Sequence, residues 1–374
     1  MNKPRIFYID NLRIFLIALV VLHHLSITYG ATGSWFYKEV EGDTATTLIL
    51  TMFTATNQSF FMGLFFLISA YFTVLSFERK SIGTFIIDRF IRLAIPLILF
   101  YFILCPLTVY MKVRFVDLAD IGFFKFVRQY LGFGFGPMWF IETLIYFTFF
   151  YVIYKLIFPG KGSTSSKQRT FPKPVTIILS ALCISAISFT VRLWFPLGSE
   201  LGNTGLQLPF FSQYIAMLFF GLLFAKYNWF EDITFKQGIR WFTFAQVISL
   251  IGFPLTFYFG TKKSGIDPFL GGWTWQAATL AIWEQLTGFS IILGLIGIFK
   301  QKLNTQGKWA KRLSGATYAV FIIHPPVIVT LSSFLKDWEV YPILKFILLA
   351  PVALFLCYTL GILLKKTPVI NKII

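Results

Sequence analysis

Cysteine, histidine and charge are all scarce in this chain of 374 residues, which has three Cys, three His and only 13% charged side chains. Cys105, Cys183 and Cys357 each fall inside an apolar run, which excludes a disulfide framework or a thiolate metal cluster. His23, His24 and His324 are scattered over two runs and form no metal site by spacing; HExxH, Gly-rich phosphate loops and GxSxG are also missing. Soluble domains carry about 25% charged residues, so a soluble enzyme, a disordered chain and a secreted disulfide scaffold are excluded. The alternating pattern of an outer-membrane barrel is missing, because the apolar runs are continuous. There is no internal repeat, which speaks against a transporter built from duplicated halves.

What the chain has instead is 56% hydrophobic residues, 47 of its residues Phe, and a mean hydropathy of +0.72. The runs are about 17 to 25 residues long, the length that crosses a hydrocarbon layer as a helix. The expected fold is an all-α, polytopic transmembrane bundle of about ten spans: 12–29, 56–77, 93–110, 139–157, 175–191, 209–224, 241–259, 275–298, 318–335 and 343–364. The second apolar stretch begins near Leu48 and is too long for one upright span, so its first part reads as tilted, re-entrant or amphipathic. The first span lacks a small-x-small cleavage site and is expected to be retained.

The net charge of +17 comes from 33 basic and 16 acidic residues, and 23 of the 33 fall in the alternate segments that hold both termini. Both termini are therefore expected to be cytoplasmic, with basic loops at an anionic leaflet of membrane lipids and no nucleic-acid partner. Residues 158–174, rich in Gly, Ser, Pro and Lys, read as a cytoplasmic linker within one integral-membrane domain spanning 1–374, with no fused soluble domain. The expected location is the cell membrane, multi-pass. Composition leaves the oligomeric state open.

Against this background the ionisable groups inside spans stand out, because they are expensive to insert. The eleven-residue step from Arg13 to His24 is some 20° beyond three full helical turns, so both lie on one face about 16 Å apart. A neutral imidazole is the usual group for taking a proton from an alcohol near pH 7; the alternative for His24 is a hydrogen bond to another helix. His23 points about 80° away and reads as structural. Arg89 and Arg92, three apart in DRFIRLAIP, would share a helical face and offer two guanidinium forks to one polyanion such as the phosphates of coenzyme A. Basic pairs at helix ends also set topology or touch lipid headgroups. Glu142 and Glu284 could orient a histidine, compensate an Arg or bond a neighbouring helix. His324 precedes Pro325 and Pro326, which lack amide donors and leave backbone carbonyls free; a structural and a functional role are equally open to it.

These residues lie within YIDNLR (8–13) followed by His24, FFMGLFFLISAYF (60–72), DRFIRLAIP (88–96), MWFIETLIY (138–146) and LSGATYAVFIIHPP (313–326). In that order the motifs resemble the acyltransferase 3 family of membrane acyltransferases, in particular its glucan-biosynthesis branch. The family pattern of a basic residue, ten residues and a histidine falls on Arg13 and His24. Its arginine pair falls on Arg89 and Arg92, and its late histidine on His324. Members often carry a histidine just before the Trp of the fourth-span motif; here Pro137 and Met138 precede Trp139, so no role for that histidine is inherited. The resemblance implies transfer of an acetyl or succinyl group from cytoplasmic acyl-CoA (acetyl-CoA or succinyl-CoA), without a metal, to a hydroxyl of a carbohydrate acceptor, an exported or cell-surface glycan. It implies His24 as the catalytic base or acyl acceptor, and Arg89, Arg92 and Arg13 as donor-binding residues. Two rival readings are a polysaccharide or lipid-linked-sugar exporter, with His24, Glu142 and Glu284 relaying protons, and a non-enzymatic scaffold for a polysaccharide synthase.

Overall fold

The computed structural model describes residues 5–130, 132, 134–158, 169–202, 204–262 and 265–373. Most of the expected linker at 158–174 lies outside them. The described residues contain helices and no strand. Ten helices are long and apolar enough to cross a membrane: α1 Phe7–Thr28, α2 Thr44–Phe77, α3 Ile82–Phe115, α4 Gly136–Ile157, α5 Pro174–Val191, α6 Leu208–Tyr227, α7 Phe235–Thr261, α8 Trp275–Lys302, α9 Lys308–Phe334 and α10 Pro342–Lys365. Each expected span lies within or overlaps one of them.

The second stretch is a single helix of 34 residues, about 51 Å long at 1.5 Å per residue. It neither breaks nor re-enters, because it is started firmly: the Asp43 side chain accepts hydrogen bonds from the amides of Ala45 (3.0 Å) and Thr46 (3.2 Å). The helix therefore runs beyond the hydrocarbon layer or tilts within it.

Two of the helices contain π turns, and each turn ends two residues before a proline. Phe90–Ala94 precedes Pro96, Phe100–Leu104 precedes Pro106, and Ile248–Gly252 precedes Pro254. A proline has no N–H to give to the carbonyl four residues back, and its ring collides with that carbonyl. Widening the turn removes the collision without ending the span.

α1 packs against α2, α8, α9 and α10, and α8 is the most deeply buried span. Backbones approach closely where the sequence places glycine. A Cβ on Gly288 of α8 would meet the Ser59 carbonyl oxygen of α2 at 2.0 Å, and one on Gly221 of α6 would meet that of Leu67 at 2.4 Å. Small residues at such crossings let dispersion forces hold helices together where lipid offers no hydrophobic gain. The result fixes α2 between α6 and α8, with α1 packed on a further face.

Candidate functional site

Because α1 is one unbroken helix, Arg13 and His24 keep the shared stripe expected from their spacing. His24 lies in a stack of three rings. Its imidazole is 3.9 Å from the Trp35 ring, tilted by 16°, and 5.2 Å from the His324 ring, tilted by 18°. Trp35 and His324 are themselves 5.9 Å apart and nearly parallel. His23 turns instead to Phe61 of α2, with ring centroids 5.1 Å apart.

The His-Pro-Pro sequence explains the orientation of His324. Pro325 has no amide hydrogen for the Phe321 carbonyl one turn back, and the His324 Nδ1–H donates to that oxygen at 2.7 Å instead. With the proton held on Nδ1, the Nε2 lone pair of the neutral ring is free, and it has no partner in its fully buried setting. His24 Nδ1 and Trp35 Nε1 are likewise buried without partners. Three such atoms in one stack are costly, at about 1–3 kcal/mol each, unless a ligand or water completes them. Only His24 of the two stacked histidines is partly exposed.

Trp35 is delivered by the segment between α1 and α2, which is tied down at several points. The Ala31 amide donates to Ser26 O (2.9 Å) and the Glu39 amide to Thr28 O (3.0 Å). Glu39 forms a buried ion pair with Lys345 of α10, whose ammonium also donates to the carbonyls of Leu335 (2.6 Å) and Trp338 (2.9 Å). Burial pushes the Glu39 carboxyl above the usual carboxylate range, and the hydrogen bond and charge of Lys345 only partly offset this. Beside Trp35, Phe36 seats on Gly136, which has a φ of +45° and where a Cβ would come within 2.8 Å of the Phe36 ring. The glycine that opens α4 thus serves the loop that carries Trp35.

At the other end of α1 the YIDNLR motif organises a basic cluster. Asp10 pairs with Arg5 (2.5 Å) and Arg13 (3.9 Å), and the Asn11 amide donates to the carbonyls of Leu303 (2.7 Å) and Thr305 (2.9 Å). Lys365, at the end of α10, lies within electrostatic reach of Arg5, Arg13 and Arg92, and donates to Gly315 O at 2.6 Å. Asp10, with Asp88 also within reach of Arg92 but paired to Lys80, does not balance these four cations and leaves an excess of positive charge, fitted to a polyanion.

With this arrangement in view, comparison with known proteins is decisive. The profile of an acyltransferase domain matches residues 6–362. The chain belongs to the acyltransferase 3 family. It is similar to the glucans biosynthesis proteins C of Escherichia coli O1:K1 (22% identity over 352 residues, 88% of this chain and 84% of the relative) and Salmonella gallinarum (21% over 347 residues, 89% and 84%). No solved structure matches it. It is thus a multi-pass membrane acyltransferase.

Within this acyltransferase the arginine pair divides. Arg89 Nη2 donates to Thr73 Oγ1 of α2 at 3.0 Å and faces a cavity among α2, α4 and α6, which Arg92 does not line. Arg92 lies beside α9, where the Tyr318 hydroxyl donates to its carbonyl at 2.6 Å. A shared face requires an α-helix through both residues, whereas the π turn Phe90–Ala94 follows Arg89 directly and changes the angle between the two side chains.

The two acids also resolve. Glu142 accepts from the Tyr146 hydroxyl one turn along its own helix (2.6 Å), and Glu284 pairs with Arg192 in a buried bridge of 2.5 Å. Neither is bonded to a histidine. Arg192 and Trp35 escaped the sequence reading. Arg192 stands 92 positions from its partner, and Trp35 sits in a loop without periodicity; its one signal is a Trp-Phe pair soon after His24.

Proposed function

We propose that this acyltransferase moves an acetyl or succinyl group from acyl-CoA to a hydroxyl of an exported or cell-surface glycan, at the cell membrane and with both termini cytoplasmic. The observation that carries the reading is the stack of His24, His324 and Trp35, with three unpartnered polar atoms, on the same helix as the basic cluster around Arg13. A donor with its phosphates at Arg5, Arg13, Arg92 and Lys365 has its thioester directed along α1 toward His24. Arg89, across the π turn, adds to the positive potential at that mouth.

His24, the accessible histidine, takes the proton from the acceptor hydroxyl. The hydroxyl oxygen then attacks the thioester carbonyl carbon, the C–S bond breaks, and the leaving thiolate recovers the proton from the imidazolium. The unpartnered Trp35 Nε1–H is a donor for the oxyanion that develops on the carbonyl oxygen. His324, held by the Phe321 carbonyl, keeps the stack in register and presents a lone pair of fixed tautomer. Glu142 and Glu284 are structural polar groups in this account. Acyl transfer through His24 itself uses the same geometry. The family assignment favours an enzyme over an exporter or scaffold.

The test is acyl transfer by the purified protein, with labelled acetyl-CoA or succinyl-CoA and an oligoglucan, read by mass spectrometry of the ester product. A labelled glucan that disappears in His24→Ala is expected. No ester on any glucan, with acyl transfer to another acceptor class, overturns the proposed substrate.

A further inference from the structure

A cavity of about 490 Å³ lies on the opposite side of α2 from the histidines. Phe61 meets His23, whereas Ala70 lines the cavity. Nine residues at 100° each are two and a half turns, so the two side chains leave α2 in opposite directions. A thioester bound in this cavity would have α2 between itself and His24, which separates the cavity from the donor site proposed above.

The cavity has an amphiphile's polarity. Three cations line it, Arg89 in the third turn of α3 and Lys155 and Lys226 in the last turns of α4 and α6; the nearest acids, Asp88 beside Arg89 and Glu78 within electrostatic reach of Tyr151, stand outside the lining. All three fall in the basic segments that the charge count assigns to one side of the bundle. The rest of the wall is apolar, with Phe147 and Leu222 facing inward and Phe150 and Phe219 left 63% and 58% exposed at the rim. A pocket charged at one end and open sideways through aromatic side chains faces the region where lipid tails lie.

We propose that this cavity binds an anionic phospholipid drawn from the bilayer, with its phosphate among Arg89, Lys155 and Lys226 and the upper part of its chains along Phe147 and Leu222. The volume suits a headgroup and the first chain segments, the remainder staying in the membrane. Charge complementarity selects the anionic lipid over a zwitterionic one. The site shares Arg89 with the positive potential at the donor mouth but needs neither acyl-CoA nor His24, so its test is read on Lys155, Lys226 and Leu222 instead.

The test is native mass spectrometry of the purified full chain, delipidated in detergent and titrated with phosphatidylglycerol or with phosphatidylcholine of the same chains. Phosphatidylglycerol is expected to bind more tightly, and Lys155→Gln combined with Lys226→Gln to weaken it about 30-fold and phosphatidylcholine less, so that the preference between the two shrinks. Leu222→Trp, which fills the apolar wall and keeps every charge, should remove both lipids and decides the matter if the charge variant does not fold. Millimolar inorganic phosphate should leave the lipid adduct in place, because a free anion gains nothing from the wall. Equal retention of the two lipids, or unchanged phosphatidylglycerol binding in either variant, would overturn the proposal. Displacement of the lipid by coenzyme A would also overturn it and reassign the cavity to the acyl donor.

Discussion

Replacing Pro325 by Ala separates the stability of α9 from the orientation of His324. Proline inside a helix costs about 3 kcal/mol relative to alanine, and Pro325 lies within the continuous helix Lys308–Phe334. The substitution should therefore raise the thermal unfolding temperature in detergent, although Pro326 remains. It also returns an amide N–H to the Phe321 carbonyl, which now receives His324 Nδ1 at 2.7 Å. A hydrogen bond of this kind contributes about 0.5–1.5 kcal/mol net, which corresponds to roughly a two- to twelve-fold bias in favour of the Nδ1–H tautomer. The carbonyl has two lone pairs and can accept both donors, so this range is an upper bound on the loss. The expectation is a more stable protein whose kcat for acyl transfer falls by up to about tenfold, with KM for the donor unchanged. His324→Ala should lose more. A Pro325→Ala enzyme with raised stability and undiminished kcat would refute the link between the freed carbonyl and catalysis.

Further predictions concern the supports of the site. Arg92→Ala and Lys365→Gln should each raise KM for acyl-CoA several-fold and flatten its dependence on salt, with kcat little changed, in steady-state assays over a range of ionic strength. Lys345→Met leaves Glu39 buried without its partner and should cost about 3–5 kcal/mol in thermal or denaturant unfolding. Because burial raises the Glu39 carboxyl, the folded state keeps its proton longer than the unfolded state does. Stability of Lys345→Met should accordingly fall as pH rises above the ordinary carboxylate range, and a flat profile there would contradict the assignment. Asp43 behaves oppositely: the Thr46 and Tyr341 hydroxyls, with the helix amides, lower it to about 2. Its support for α2 should be complete above about pH 4 and fade toward pH 2, and Asp43→Asn should abolish that dependence. Gly136→Ala should lower activity by displacing Phe36 and with it Trp35, visible as altered tryptophan fluorescence.

The spans were legible because hydropathy reports the hydrocarbon layer directly. Their ends were less so: α2 begins at Thr44 and α3 at Ile82, well before the apolar runs that were read as spans. Helical hydrogen bonding continues past the membrane wherever a cap such as Asp43 or Ser81 starts it, and hydropathy does not register a cap. Regular spacing carries over to Arg13 and His24 because α1 is one unbroken helix, but not to Arg89 and Arg92, where a π turn before Pro96 breaks the period while leaving the two within electrostatic reach. Proline itself was the available sign. Contacts between distant segments were out of reach: nothing local pairs Glu39 with Lys345 or Glu284 with Arg192, and nothing stacks Trp35 on His24 until α1, α9 and the loop between α1 and α2 are assembled.

The central claim is that His24 performs acyl transfer at the ring stack, and the most direct measurement is single-turnover acyl transfer by His24→Ala in lipid nanodiscs. Removing a positioned base costs about 10²–10⁴-fold. The account predicts a loss of that size in the chemical step, with acyl-CoA affinity retained through Arg13, Arg92 and Lys365. Transfer at the wild-type rate in His24→Ala would contradict it.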